Sequence, residues 1–281
     1  MTVAPRIRQP RFADDIWYSS SPKKLSAAME RHLTTEPPDL IPENLVGLVV
    51  PHAGHRFSGR VAGSGFGYLK PGIFDTVILL GPDHRGAAPG RTSTPAADLW
   101  RTPLGDIPVA WELLDPIREE FSLMLVDDDD EHSLEIELPF LQKKLDAFRL
   151  VPLMMGSQSF QTCQQLSAVL VKAVQQSGRQ ALFVASSDLS HFFDDDTARR
   201  LDRETVQFIL NMDARGLIEH VASGRLHGQP LACGSGPIAT VILAARALGA
   251  VQAHNLKYAT SADVYPDRSR VVGYAAIGFT R

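Results

Sequence analysis

Apolar residues recur every fourth position from Ser21 to Leu33, where Leu25, Met29 and Leu33 share one side, so this stretch predicts a helix resting on a core. The pair Pro37-Pro38 would stop it. Two uninterrupted apolar runs follow, LVGLVV before Pro51 and DTVILL before Gly81, and both read as strands. The small-residue stretch SGRVAGSGFGYL between them reads as a helix, which makes a βαβ-like opening whose strands are parallel if the crossover is ordinary.

From Pro95 to Pro108 the pattern weakens into a loop or small hairpin, and WELLDPIREEF then predicts a short helix interrupted or bent near Pro116. In HSLEIELPFLQKKLDAF, Ile136, Phe140, Leu141, Leu145 and Phe148 form a helical stripe despite Pro139. A strand in RLVPLMM, a helix from about Phe160 to Gln176 and a strand in ALFVASS come next. Helices are expected from about Thr197 to Leu210, near Leu217, and over PIATVILAARALG. The runs LKYATSADV and VVGYAAIGF, separated by YPDRSR, suit an antiparallel pair. This order fits an α/β fold, a mixed sheet covered by helices, without internal repeats.

Composition narrows the picture. A chain of 281 residues, 44% hydrophobic and 21% charged, is long enough for one large α/β domain over 1–281. A net charge of −4 argues against nucleic acid as a partner, because there is no basic excess to neutralise phosphates. The start MTVAPRIRQPRF carries no signal-like apolar block, and no later run is long enough to cross a bilayer, so a soluble cytoplasmic protein is expected. Cys163 and Cys233 do not make a disulfide framework. Cys163 lies among helix formers and reads as an inert helix-face thiol.

Three segments share one construction: LVGLVV runs into PHAGH, DTVILL into GPDH, and ALFVA into SSDLSH. Strands that share a direction deliver the residues just beyond them to one edge of the sheet, where open α/β folds bind ligands. His52, His84 and His191 are therefore expected around one pocket. Cys233 in ACGSGP precedes an apolar helix with Pro237 in its first turn, where the helix dipole favours a thiolate. One thiolate with two neutral imidazoles suits zinc, copper or iron. His132 and Glu135, three apart in EHSLEIE, can turn toward the same crevice if a helix begins there, and Glu135 is an alternative ligand.

The motifs PHAGHRFSG, ILLGPDH, DEHSLEIELPFLQ, SSDLSHF and CGSGPI, in this order, resemble the Memo-like family, system protein B of the AmmeMemoRadiSam gene association. The resemblance implies a fold similar to class III non-haem iron extradiol dioxygenases. It also implies copper or iron associations and a redox role, with no settled substrate. Carried onto this chain, it makes His52 and His84 the metal-facing histidines and puts Cys233 where the dioxygenases use glutamate. His191 takes the position of their acid/base histidine, with Asp188 as its motif neighbour. Two departures stand out: WYSSSP lacks the family's proline after tyrosine, and His55 replaces a common aromatic, where it can widen the polar site or add a ligand.

The expected function is a metal-dependent, dioxygenase-like oxidoreductase that uses Fe(II) or copper on a small molecule. The alternative is a copper- or iron-binding redox or interaction protein with a protein partner and no turnover. Zinc hydrolysis is a weaker reading, since HExxH is absent. Without GxxxxGKS or GxGxxG, neither a nucleotide nor a flavin is expected.

Overall fold

The uninterrupted apolar runs become the buried middle of a mixed sheet. The computed structural model describes residues 4–33 and 44–281, so the expected stop at Pro37-Pro38 lies outside the described residues. Strands β2 (Leu45–Val50), β3 (Thr76–Pro82) and β9 (Ala181–Ser186) are almost wholly buried, which explains why they read as continuous apolar runs and not as alternating ones. β9 lies between β2 and β3 and is parallel to both. The expected parallel pair is thus present, with one strand inserted between its members.

The sheet continues past β3 through β8 (Arg149–Met155), β4 (Thr92–Pro95) and β7 (Met124–Val126). On the other side of β2 come the long β12 (Val271–Thr280) and then β10 (His191–Phe193), with β11 (Gln252–Thr260) also pairing antiparallel to β12. A second, three-stranded sheet joins β1 (Ile7–Arg8) to the hairpin β5 (Leu99–Thr102) and β6 (Gly105–Pro108). The uncertain Pro95 to Pro108 stretch is therefore a hairpin. The short strands β1, β4, β7 and β10 carried no periodic signal and were not expected.

Helices cover the sheet. α1 (Pro22–His32) starts at Ser21, whose hydroxyl accepts from the Lys24 N–H, and buries Leu25 and Met29 as its four-residue spacing demands. α2 (His55–Phe66) begins earlier than the sequence suggested. α3 (Trp111–Phe121) runs through Pro116 without interruption. α4 (Leu138–Lys144) holds Pro139 in its first turn, where a missing N–H costs nothing. α5 (Phe160–Ser177), α6 (Asp195–Leu210), α7 (Ala214–Leu226) and α8 (Ser235–Ala247) match the expected helices, α7 being longer than the short segment foreseen near Leu217. No helix among the described residues is long and apolar enough to cross a membrane.

Candidate metal centre

Parallel neighbours share a carboxyl end, and that fact assembles the site. His52, His84 and Asp188 each lie two residues beyond the last residue of β2, β3 and β9. The rings of His52 and His84 sit edge to face with centroids 5.2 Å apart. His132 arrives from the loop after β7, stacked on His84 at 4.8 Å and perpendicular to His52 at 5.3 Å. That loop passes so close to β3 that a Cβ on Gly81 would collide with Ser133, so the glycine of GPDH makes room for it. One nitrogen from each of His52, His84 and His132 lies within 4.8 Å of the others, a grouping that can hold a metal ion.

Cys233 lies outside that three-histidine grouping but next to it, its Sγ 3.2 Å from His52 Nε2. Two ligands of one tetrahedral ion, at about 2.3 Å for sulfur and 2.0 Å for nitrogen, stand roughly 3.5 Å apart. The observed separation is close to that. Two N–H groups at the start of α8 bond to other partners than this thiol. Gly234 N–H donates to Ser187 Oγ and Gly236 N–H to Gln158 Oε1, and the same Gln158 holds the Cys233 carbonyl. The sulfur's nearest polar neighbour is an imidazole.

The electrostatics differ from ring to ring. Burial keeps His52 well below the usual histidine range, and the neighbouring His132, His84 and His191 push it the same way. Burial likewise lowers His132 to about 4, leaving it neutral. His84 is the exception: burial opposes its charge, yet Cys233 and Glu131 raise it to about 10. Glu131 accepts from His84 N–H at 2.6 Å and faces Nδ1 at 3.0 Å. Burial opposes its ionisation, but the contacts with His84 lower it to about 2.

The cluster forms the floor of a cavity of about 620 Å³ walled by Trp17, Phe57, Tyr265, Val272 and Tyr274, with Arg270 also in its lining. His191 and Asp188 line the same cavity. Burial lowers His191, an effect that a hydrogen bond to the Leu189 backbone reduces without reversing and to which His84 adds. Asp188, expected to orient His191, instead accepts the backbone N–H groups of His52 and Ala53 at 2.9 and 3.2 Å. It therefore fixes the turn that delivers His52, and burial raises it to about 7.

Two other expected residues are elsewhere. His55 is the buried first residue of α2, its Nε2 on the Ile136 carbonyl and its ring against Tyr18 and Phe140, so it neither widens the site nor offers a ligand there. Glu135 and His132 do not share a helical face, because the first turn is a 3₁₀ turn at Glu135–Glu137 and His132 precedes it. Glu135 is fully buried and receives Arg8, the Phe12 N–H and the Tyr18 hydroxyl. Cys163 lies inside α5, its thiol pushed up to about 11 by burial and directed at the Gly236 carbonyl, outside the cavity lining. Glu131, Trp17 and Tyr274 were missed by the sequence reading. Only the acidic residue beside His132 offered a signal.

A family model described as Memo-like protein matches residues 8–278. The chain belongs to the Memo-like family. The MEMO1 family protein of Methanopyrus kandleri is 37% identical, over 98% of this chain and 99% of its own. That of Archaeoglobus fulgidus is also 37% identical, over 97% and 99%. The crystal structure of uncharacterized protein JW3007 from Escherichia coli K12 covers 83% of this Memo-like chain and 99% of its own with a TM-score of 0.50, and at 13% identity it speaks to the fold alone. The α/β architecture expected from the strand and helix pattern, a central mixed sheet flanked by helices, is the one found.

Proposed function

We propose that this Memo-like protein is a metal-dependent, dioxygenase-like oxidoreductase acting on a small phenolic or reducing molecule in the cavity above His52 and His84. One observation carries the reading: three histidine donors within 4.8 Å of one another lie at the floor of a cavity of about 620 Å³. That volume is the size of a small-molecule site. The donor set fits iron or copper, because imidazoles accept either metal and a thiolate next to them suits copper(I).

In this reading His52, His84 and Cys233 hold the metal, and His132 is the competing third donor. A bound iron or copper would supply one-electron chemistry and a coordination position for substrate. The chain's own residues do the rest. Trp17 and Tyr265 present aromatic walls to an apolar ligand body. Asp188 holds the His52 turn in place, and His191, kept neutral by burial, accepts a substrate proton at its ring nitrogen.

The test is oxygen uptake with product analysis by the metal-loaded protein over a panel of catechols and small reductants. His191→Ala should lower turnover by about 10²- to 10⁴-fold while metal content stays unchanged. Turnover equal to wild type at equal metal content would remove His191 from the mechanism. No enzyme-dependent uptake with iron or copper would overturn the oxidoreductase reading. A second reading, a redox or interaction protein that retains copper without turnover, is favoured by the Cys233 thiol 3.2 Å from His52 Nε2, since thiolate and imidazole satisfy copper(I).

A further inference from the structure

Beneath the histidine cluster lies a carboxyl group that no ion pair explains. Glu137 is fully buried. Its Oε1 lies 2.9 Å from Ser186 Oγ, and its Oε2 has no hydrogen-bond partner. No basic side chain contributes to its electrostatics, whereas burial and the nearby Asp188 both disfavour its charge. A buried carboxyl with no salt bridge is costly, and such groups concentrate at functional sites.

Counting hydrogens around Ser186 shows what it does. The hydroxyl has one hydrogen and three neighbours: the Ser133 carbonyl at 2.6 Å, Glu137 Oε1 at 2.9 Å and His52 Nδ1 at 2.8 Å. A carbonyl can only accept, so the hydrogen of Ser186 goes to Ser133 O, its shortest contact. The other two neighbours must then donate to the Ser186 oxygen. His52 does so only as Nδ1–H, and Glu137 only as the carboxylic acid.

We infer that Glu137 is a positioning residue that, as a hydrogen-bond donor to Ser186, locks His52 in the Nδ1–H tautomer with the Nε2 lone pair turned toward Cys233 and the metal position. An ionised Glu137 would compete with the Ser133 carbonyl for the single Ser186 hydrogen and leave the hydroxyl free to rotate. Nδ1 could then become an acceptor and Nε2 would carry the proton, closing it to a metal. Partners that fix the tautomer of a ligating histidine typically change metal affinity by about 10- to 100-fold. The inference rests on the metal-site reading for its purpose, but the tautomer can be measured without any metal.

The experiment is nitrogen-15 NMR of the histidine rings in metal-free protein, with His52 assigned by its loss in His52→Gln. Wild type and Glu137→Gln should both show the Nδ1–H tautomer, because the glutamine amide donates to Ser186 as the acid does. Ser186→Ala, which removes the acceptor of the Nδ1 hydrogen, should shift it toward Nε2–H and weaken cobalt(II) binding by about 10- to 100-fold. Infrared difference spectroscopy between wild type and Glu137→Gln at neutral pH tests the acid itself and decides even if Ser186→Ala fails to fold: a carboxylic-acid carbonyl band lost in the variant is expected, and a carboxylate signal overturns the inference. An Nε2–H tautomer in wild type, or an unchanged tautomer in a folded Ser186→Ala, also overturns it. A wild type that shows the Nδ1–H tautomer yet binds no metal would sink the functional reading and leave this one standing.

Discussion

Two buried polar regions lie side by side in this protein, and they are built on opposite rules. The first gathers Arg8, Asp129, Glu135 and Tyr18, and here the polar groups find partners. The Arg8 guanidinium donates to both oxygens of Asp129 at 2.8 and 2.6 Å, to Glu135 and to the Glu131 carbonyl, and its face covers the Trp100 ring at 4.2 Å. The second region is the floor of the cavity and the layer beneath it, where pairing is sparser: Glu137 Oε2 is buried without a hydrogen bond, and His132 Nδ1 faces only Glu131 Oε1, at 3.3 Å. Glu131 joins the two, giving its carbonyl to Arg8 and its carboxylate to His84. The satisfied cluster fastens the amino-terminal segment that carries Trp17 against His132, whereas the unsatisfied one keeps its ligand atoms available. Buried charge alone does not mark a site.

The largest effect should come from breaking the satisfied cluster. Arg8→Ala leaves Asp129 and Glu135 buried without their cation, and should cost about 3–5 kcal/mol of stability by chemical denaturation. Metal affinity per folded molecule should change little. If Arg8→Ala instead spared stability and abolished metal binding, the two regions would be one functional unit and the contrast would fail.

A smaller effect should appear in the pH dependence of stability. Burial raises Glu137 well above its unfolded value near 4.3, so between the two values the folded chain holds a proton that the unfolded chain has released. Stability then falls as pH rises through that window, by at most about 1.4 kcal/mol per pH unit from this group. Glu137→Gln removes the contribution. Urea midpoints of wild type and variant, followed without metal from mildly acidic to mildly alkaline pH, should diverge in favour of the variant as pH rises. Parallel curves would mean that Glu137 is already ionised.

Much of the site was legible because it is written locally. PHAGH, GPDH and SSDLSH each place a polar group at a fixed offset after a buried strand, and parallel pairing through β9 is enough to bring His52, His84 and Asp188 together. The partners of those groups were not legible. Glu135 looked like a ligand candidate because its spacing from His132 suits a helix, but a 3₁₀ turn and an amino-terminal segment more than 110 residues away in sequence claim it. His55 reads as a departure from the family pattern that offers a further ligand, yet α2 begins on it and turns its ring onto Phe140. The short strands β4 and β7 at one end of the sheet are too brief for any period to declare itself.

The central claim is that the strand-end histidines hold a metal in the protein as it exists in its own cells. It is tested most directly by anaerobic purification from native cells, with metal analysis before any reconstitution, for wild type and the His52→Ala/His84→Ala double variant. The account predicts stoichiometric iron or copper in wild type and its loss in a variant whose circular dichroism is unchanged. Equal metal content in the two folded proteins would contradict it.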